Sequence, residues 1–225
     1  VAAVGRHDDA AKAAELRCRR HHDRSARRVG WCAEQPELSR ACAHLYAEVM
    51  ALSSLMVPLG TPAPHFTLDD LSGTKVRLDD FAAAPALLVA FLCNHCPYVR
   101  HIEAELGRVV ARYPNLAAVG ICTNDSEAYP DDRPERLADQ ARRASWTFPY
   151  LLDTEQTVGR AFAAACTPDF FLYDAPRRLA YRGAFDESTP GNGKPVTGAL
   201  LSDAISHVLA GEPLITRVIQ HVQEL

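Results

Sequence analysis

Ala86-Leu87-Leu88-Val89-Ala90-Phe91-Leu92 runs straight into Cys93-Asn94-His95-Cys96-Pro97, after which apolar residues recur at Tyr98, Val99, Ile102, Leu106, Val109 and Val110. The unbroken apolar run has the length of a strand buried on both faces, and the later spacing is helical. The stretch therefore reads as a strand delivering two cysteines to the mouth of a helix. Unpaired backbone N–H groups in a helix's first turn, and the positive end of its dipole, favour an anion there. A thiolate is such an anion, so a cysteine at that place ionises more readily and is more reactive. The second cysteine, three residues on, is close enough to close a disulfide over one helical turn.

Bulk properties narrow the classes. The 225 residues are 48% hydrophobic and 23% charged, with a formal net charge of -4, the profile of a soluble globular domain rather than of a nucleic-acid binder. No apolar run approaches the length of a membrane span, and no apolar core follows the charged residues of the N-terminus as a secretory leader requires. These features lead us to expect a cytoplasmic protein. Seven cysteines at irregular spacing do not make a disulfide scaffold, and in a reducing compartment a close pair points to catalysis or metal binding.

Residues 1–49 differ from the rest. They carry Arg17, Arg19, Arg20, Arg24, Arg27 and Arg28, together with Cys18, Cys32 and Cys42 at no ligand spacing, and the first methionine is Met50. We expect this segment to be a poorly ordered, dispensable extension, residues 50–211 to form one domain and residues 212–225 a tail. From Gly60 the pattern is orderly. Thr67-Leu68 and Val76-Arg77-Leu78 flank the turn chemistry of Asp70-Leu71-Ser72-Gly73, predicting a hairpin. Leu116–Cys122 is a second buried strand. Asp131, Asp132 and Pro134 have the chemistry of a helix start, with Leu137, Ala138, Ala141 and Ala144 continuing it. A short extended segment at Phe148–Leu152 and a helix over Glu155–Ala165 follow. A second hairpin, Asp169–Asp174 with Arg178–Gly183, precedes a helix on Leu200, Leu201, Ala204, Ile205, Val208 and Leu209 that Gly211 and Pro213 stop. Helix-separated apolar strands imply a sheet covered on both faces.

This order of elements, with Pro64-His65-Phe66-Thr67-Leu68, the Cys93–Pro97 motif, Asn124-Asp125 and Thr167-Pro168-Asp169-Phe170-Phe171-Leu172-Tyr173-Asp174, resembles the thioredoxin superfamily. The likeness is to its redoxin branch, grouped with the alkyl hydroperoxide reductase and thiol-specific antioxidant proteins, and it covers about residues 58–211. It implies an α/β, thioredoxin-like three-layer sandwich: a mixed central sheet flanked by helices, with an N-terminal hairpin. It also implies that Pro168, preceded by Thr167, has a cis peptide bond and faces the cysteines. Cys93 matches the attacking cysteine and Cys96 the resolving one. His95 stands where protein disulfide isomerase and the periplasmic oxidases also have histidine, a position from which it stabilises the Cys93 thiolate. Asn94 and Cys166 are accessory candidates, Cys166 either as an extra thiol facing the pair or as a buried small residue; Cys122 reads as a small core residue.

Two departures stand out. Where many thioredoxins carry a buried aspartate, six residues before the first cysteine, this chain has Leu87, which leaves no assigned proton acceptor. Where peroxiredoxins carry a threonine ahead of the Cys-Pro, it has Cys93, with Arg100 and Arg182 the arginines available to a peroxide. The resulting expectation is a thiol–disulfide oxidoreductase that needs no cofactor or metal. Its partners would be a disulfide-containing protein or small molecule and a thiol electron donor. The alternatives are a thiol peroxidase reducing hydroperoxides, a zinc-binding module using Cys93 and Cys96, and a redox-inactive interaction scaffold.

Overall fold

A computed structural model describes residues 57–212. The expected extension at 1–49, and all but the first residue of the expected tail at 212–225, lie outside the described residues. Seven strands form one mixed sheet: β1 Thr67–Asp70, β2 Lys75–Arg77, β3 Ala86–Phe91, β4 Leu116–Cys122, β5 Tyr150–Leu152, β6 Asp169–Tyr173 and β7 Leu179–Gly183, in the order β2-β1-β5-β4-β3-β6-β7. The helices are α1 Pro97–Ala111, α2 Pro134–Arg143, α3 Thr157–Ala161 and α4 Ala199–Ala210. This is the thioredoxin-like sandwich with its N-terminal hairpin. Among the described residues no helix is long and apolar enough to cross a membrane.

The strand that carries the cysteines sits at the centre. β3 pairs in parallel with β4 and antiparallel with β6, so both of its backbone edges are satisfied. Side chains alternate across a strand, and here the alternation feeds two cores. Ala86, Leu88, Ala90 and Leu92 join the apolar face covered by α1, α2 and α4, through Val99, Ile102, Leu106, Leu137, Leu201 and Ile205. Leu87, Val89 and Phe91 join the opposite face with Val119, Ile121, Leu151, Phe162 and Phe171. An unbroken apolar run was therefore required, because neither face of β3 meets water.

Local chemistry sets the connections. Asp70 accepts the N–H groups of Ser72 and Thr74 at 2.8 and 2.9 Å, closing the first hairpin around Gly73. Helix α1 approaches the segment after α2 so closely that a Cβ at Gly107 would lie 2.3 Å from the Ala144 carbonyl. Trp146 fixes this approach by donating its indole N–H to the Glu103 carbonyl at 2.9 Å. The helix expected over Glu155–Ala165 is shorter than its sequence pattern, spanning Thr157–Ala161. Ala163 adopts a positive φ of 52°, a left-handed conformation that ends the helix and leads into the loop carrying Cys166, Thr167 and Pro168.

On the side of the sheet opposite α1, Phe162 sits edge-on to both Phe91 and Phe171, with ring centroids 5.5 and 5.6 Å away. Its side chain is almost fully buried. Phe162→Ala should lower the unfolding free energy by about 3–5 kcal/mol, from lost burial plus the cavity left behind. Urea unfolding followed by near-ultraviolet circular dichroism would check this; a change under about 1 kcal/mol would mean that the aromatic cluster does not hold this face together.

Candidate active site

The site is built by a dipeptide. A residue before proline is pushed out of the helical region, and proline itself suits the first helical position. Cys96 accordingly is extended, with φ -68° and ψ 124°, and Pro97 opens the 15-residue helix α1. Cys96, not Cys93, is thus the N-cap residue at the helix mouth. Cys93 lies three residues earlier, just past the end of β3, and is fully buried, whereas Cys96 is part-exposed.

Both sulfurs converge on one residue. Cys93 Sγ lies 3.2 Å from the Thr167 hydroxyl, and the Cys96 thiol donates to the Thr167 carbonyl at 3.1 Å. The Thr167–Pro168 bond is cis. The two thiols are electrically unlike. The Cys93 thiol donates to Cys96, and this bond, with the N–H groups of Val99 and Tyr98 in the first helical turn, brings Cys96 down to about 5 against the opposing effect of burial. Cys93 is pushed well above the ordinary thiol range by the same shared proton, by burial and by the negative charge of Asp132. Burial and the Asp132 carboxylate thus act on Cys93 against the lowering expected from His95. Cys93 is the proton-holding member of the pair, because it is the buried one and faces a carboxylate.

That carboxylate is the principal site residue the sequence did not disclose. Asp132, in a 3-10 turn at Pro130–Asp132, has a completely buried side chain. Its Oδ1 accepts the backbone N–H groups of Asn94 and His95 at 2.6 and 3.2 Å. Its Oδ2 lies 2.6 Å from His95 Nδ1 and 2.8 Å from the Asn124 amide nitrogen, which donates to it. The His95 ring also stacks on Tyr129, with centroids 4.4 Å apart and planes 8° from parallel. Asp132 thus clamps the loop between the cysteines. Sulfur, nitrogen and oxygen atoms of Cys93, His95 and Asp132 all lie within 4.8 Å of one another. A metal held there would have to take Asp132 from four protein donors.

The other expected residues fall around this clamp. Asn94 is buried; its side-chain amide donates to the Asp131 carbonyl at 2.8 Å, and its side-chain oxygen accepts from Arg143 at 2.6 Å. It acts as a staple between the loop and α2. Gln140, fully buried on α2, donates to the Cys93 carbonyl at 3.0 Å. A glutamine one turn after Leu137 on the apolar stripe was the one sequence signal that α2 faces something polar. Cys122 is buried in the core, with its thiol pushed up to about 12 by that burial. Cys166 is exposed and, with His95, Asn124, Arg160 and Thr167, lines an open cavity of about 300 Å³ beside the pair.

The two arginines have other attachments. Arg100 donates to the Asn94 carbonyl at 2.5 Å and pairs with Asp131. Arg182 is buried against Asp169 at 2.9 Å and lies over the Phe171 ring. Asp169 also accepts the Ala165 N–H at 3.2 Å, so this ion pair ties the Cys166–Pro168 loop to the sheet.

Alkylation of the reduced protein as a function of pH, read by peptide mapping, should show Cys96 reacting with a midpoint near 5. Cys93 should stay protected through neutrality. Thr167→Val, which removes a hydroxyl that lowers both thiols, should move the Cys96 midpoint upward. A Cys96 midpoint near that of an ordinary thiol, about 8.5, would contradict the geometry described.

Comparison with known proteins agrees with this architecture. A crystal structure of a hypothetical protein of Sinorhizobium meliloti is 46% identical over 72% of this chain and 89% of its own, with a TM-score of 0.70. One of an uncharacterized conserved protein from Geobacillus kaustophilus is 42% identical over 72% of this chain and 87% of its own, with a TM-score of 0.69. A thiol:disulfide interchange protein of the thioredoxin family from Chlorobium tepidum shares the fold at 18% identity and a TM-score of 0.52, over 68% of this chain and 99% of its own. No curated protein matches the sequence. The model of the AhpC/TSA family matches residues 59–182, the span that holds the central strand, both cysteines and the cis-proline loop; the chain belongs to the AhpC/TSA family, within the thioredoxin-like redoxins.

Proposed function

We propose that the protein is a thiol–disulfide oxidoreductase whose working groups are Cys93 and Cys96. The observation that carries this reading is the convergence of the two sulfurs on Thr167, at 3.2 and 3.1 Å, beside the cis bond to Pro168. Two thiols so placed exchange one proton, and either can close on the other once the partner carries a mixed disulfide. The sequence favoured Cys93 as attacker and Cys96 as resolver. The order supported by exposure and by the helix mouth is the reverse: Cys96 attacks and Cys93 resolves. The Cys96 thiolate displaces one sulfur of a substrate disulfide, and Cys93 then attacks Cys96, expelling the second. The substrate leaves as two thiols, and the pair is left oxidised for a thiol donor to regenerate. Disulfide-bearing proteins or small molecules are the substrates this chemistry fits, in a cytoplasmic setting that keeps the remaining cysteines reduced.

One observation favours a second reading, a thiol peroxidase. Cys96 immediately precedes Pro97 at the helix mouth and ionises near 5. In that reaction the Cys96 thiolate takes an oxygen from the hydroperoxide, leaving an alcohol and a sulfenic acid, and Cys93 condenses with the sulfenic acid to release water. The attachments of Arg100 to Asp131 and of Arg182 to Asp169 weigh against it, since both cations are committed to carboxylates.

Reduced protein offered insulin, oxidised glutathione or a hydroperoxide should reduce the disulfides faster than the peroxide. Cys96→Ser should abolish the reaction, and Cys93→Ser should accumulate a mixed disulfide on Cys96. Peroxide consumption far outpacing disulfide reduction would replace the first reading with the second. Full activity in both variants would remove both.

A further inference from the structure

The resolving step needs a proton acceptor. Cys93 is fully buried, and a buried thiol must ionise before it can attack. Position 87, before the motif, is an apolar leucine in the core. Around Cys93 the neighbouring elements supply Cys96 from its own loop and Asp132 from the 3-10 turn, with Asp131 beside it held by Arg100 of α1. Glu103 of α1 is paired with Arg143 of α2. Cys122 of β4 and Tyr150 of β5 complete the surroundings, and burial holds the phenol of Tyr150 and the thiol of Cys122 in their neutral forms. Cys166, across the Thr167 loop, is a further thiol. Among these groups Asp132 is the carboxylate with an atom close to the Cys93 sulfur, and His95 is the imidazole.

We infer that His95 and Asp132 together form the proton relay that ionises Cys93 during resolution of the mixed disulfide. The inference rests on the proposed order of the two cysteines. Its geometry is on both sides of the pair. Inward, one atom each of Asp132 and His95 lies within 4.8 Å of the Cys93 sulfur, a span that one water or a small side-chain turn closes. Between them, the 2.6 Å contact of His95 Nδ1 with Asp132 Oδ2 fixes the orientation of the ring. Outward, the His95 side chain is 35% exposed and lines the cavity beside the pair, so the ring spans buried thiol and solvent. Tyr129 stacks on the ring, with centroids 4.4 Å apart.

The step balances as follows. The Cys93 S–H bond breaks and its proton passes to the Asp132–His95 pair. The Cys93 sulfur forms a bond to Cys96 as the bond from Cys96 to the substrate sulfur breaks. The leaving thiolate takes the proton from the imidazole and departs as a thiol. Two electrons pass from the cysteine pair to the substrate disulfide.

The test is quenched flow on the full reduced chain with oxidised glutathione, followed by peptide mass mapping of the adduct and of the Cys93–Cys96 disulfide. In the wild type the adduct should form on Cys96 and convert at a rate that varies little with pH through neutrality. His95→Ala should slow the conversion about 100-fold at neutrality, the scale of a lost general base, and make it rise with hydroxide. Added imidazole should restore the rate and flatten the profile. Asp132→Asn should slow the conversion in the same pH-dependent way. An unaltered pH profile in His95→Ala, whether or not the rate falls, would overturn the relay and leave the histidine a positioning residue; so would failure of imidazole to rescue. An adduct mapped to Cys93 would instead show that the order of the cysteines is wrong, which is the failure of the underlying reading.

Discussion

One buried carboxylate holds the site together. Asp132 takes four donors from three residues: the backbone N–H groups of Asn94 and His95, a ring nitrogen of His95, and the Asn124 amide just past the end of β4. A carboxylate in the interior is costly unless its lone pairs are filled, and hydrogen bonds to a charged acceptor contribute more than neutral ones. Here the filling and the folding of the loop are the same event. The loop between the cysteines has no ladder partner of its own, so its backbone amides are satisfied by Asp132. Gln140 and Arg143 then fasten the same loop to α2 from behind, through the Cys93 carbonyl and the Asn94 side chain. The distance between the sulfurs is in this sense set by a residue nearly forty positions downstream.

The two cysteines diverge for a simple reason. Pro97 fixes where α1 begins, and everything N-terminal to it is excluded from the helix dipole's first turn. The thiol at the boundary is drawn toward ionisation by the Cys93 thiol and by the Val99 and Tyr98 amides, while the thiol at the end of the strand is buried with Leu92 in the core beneath α1. A strand, a loop and a helix in immediate succession thus separate a charged sulfur from a neutral one over a single turn of chain.

How far this was legible in the sequence follows from the range of the interactions. Strands β3 and β4, the two hairpins and α4 were readable because their apolar periods and turn residues are local. The cis proline and the approach of Thr167 to the motif came through resemblance. Asp132 was visible only as a helix-start residue beside Asp131 and Pro134, and nothing in its neighbourhood says that its carboxylate points away from α2 toward a loop formed 37 positions earlier. The start of α1 at Pro97 was legible from the Cys-Pro dipeptide; the motif's usual order of use obscured it. The shortening of α3 was not, since Ala163 in a left-handed conformation leaves no trace in an alanine-rich pattern. Arg182 likewise read as a cation available to substrate, whereas its partner Asp169 lies across the hairpin, one strand away.

The burial of β3 on both faces and both edges has a consequence for motion. Backbone amides of a strand bonded to β4 and β6 throughout can exchange with solvent only when the whole sheet opens, whereas those of the Asn94–His95 segment, bonded to a side chain, can open alone. The boundary between slow and fast exchange should fall within the two peptides around Leu92 and Cys93. Freedom to open is therefore concentrated in the one turn of chain between the cysteines, which hangs from a strand held on both of its edges.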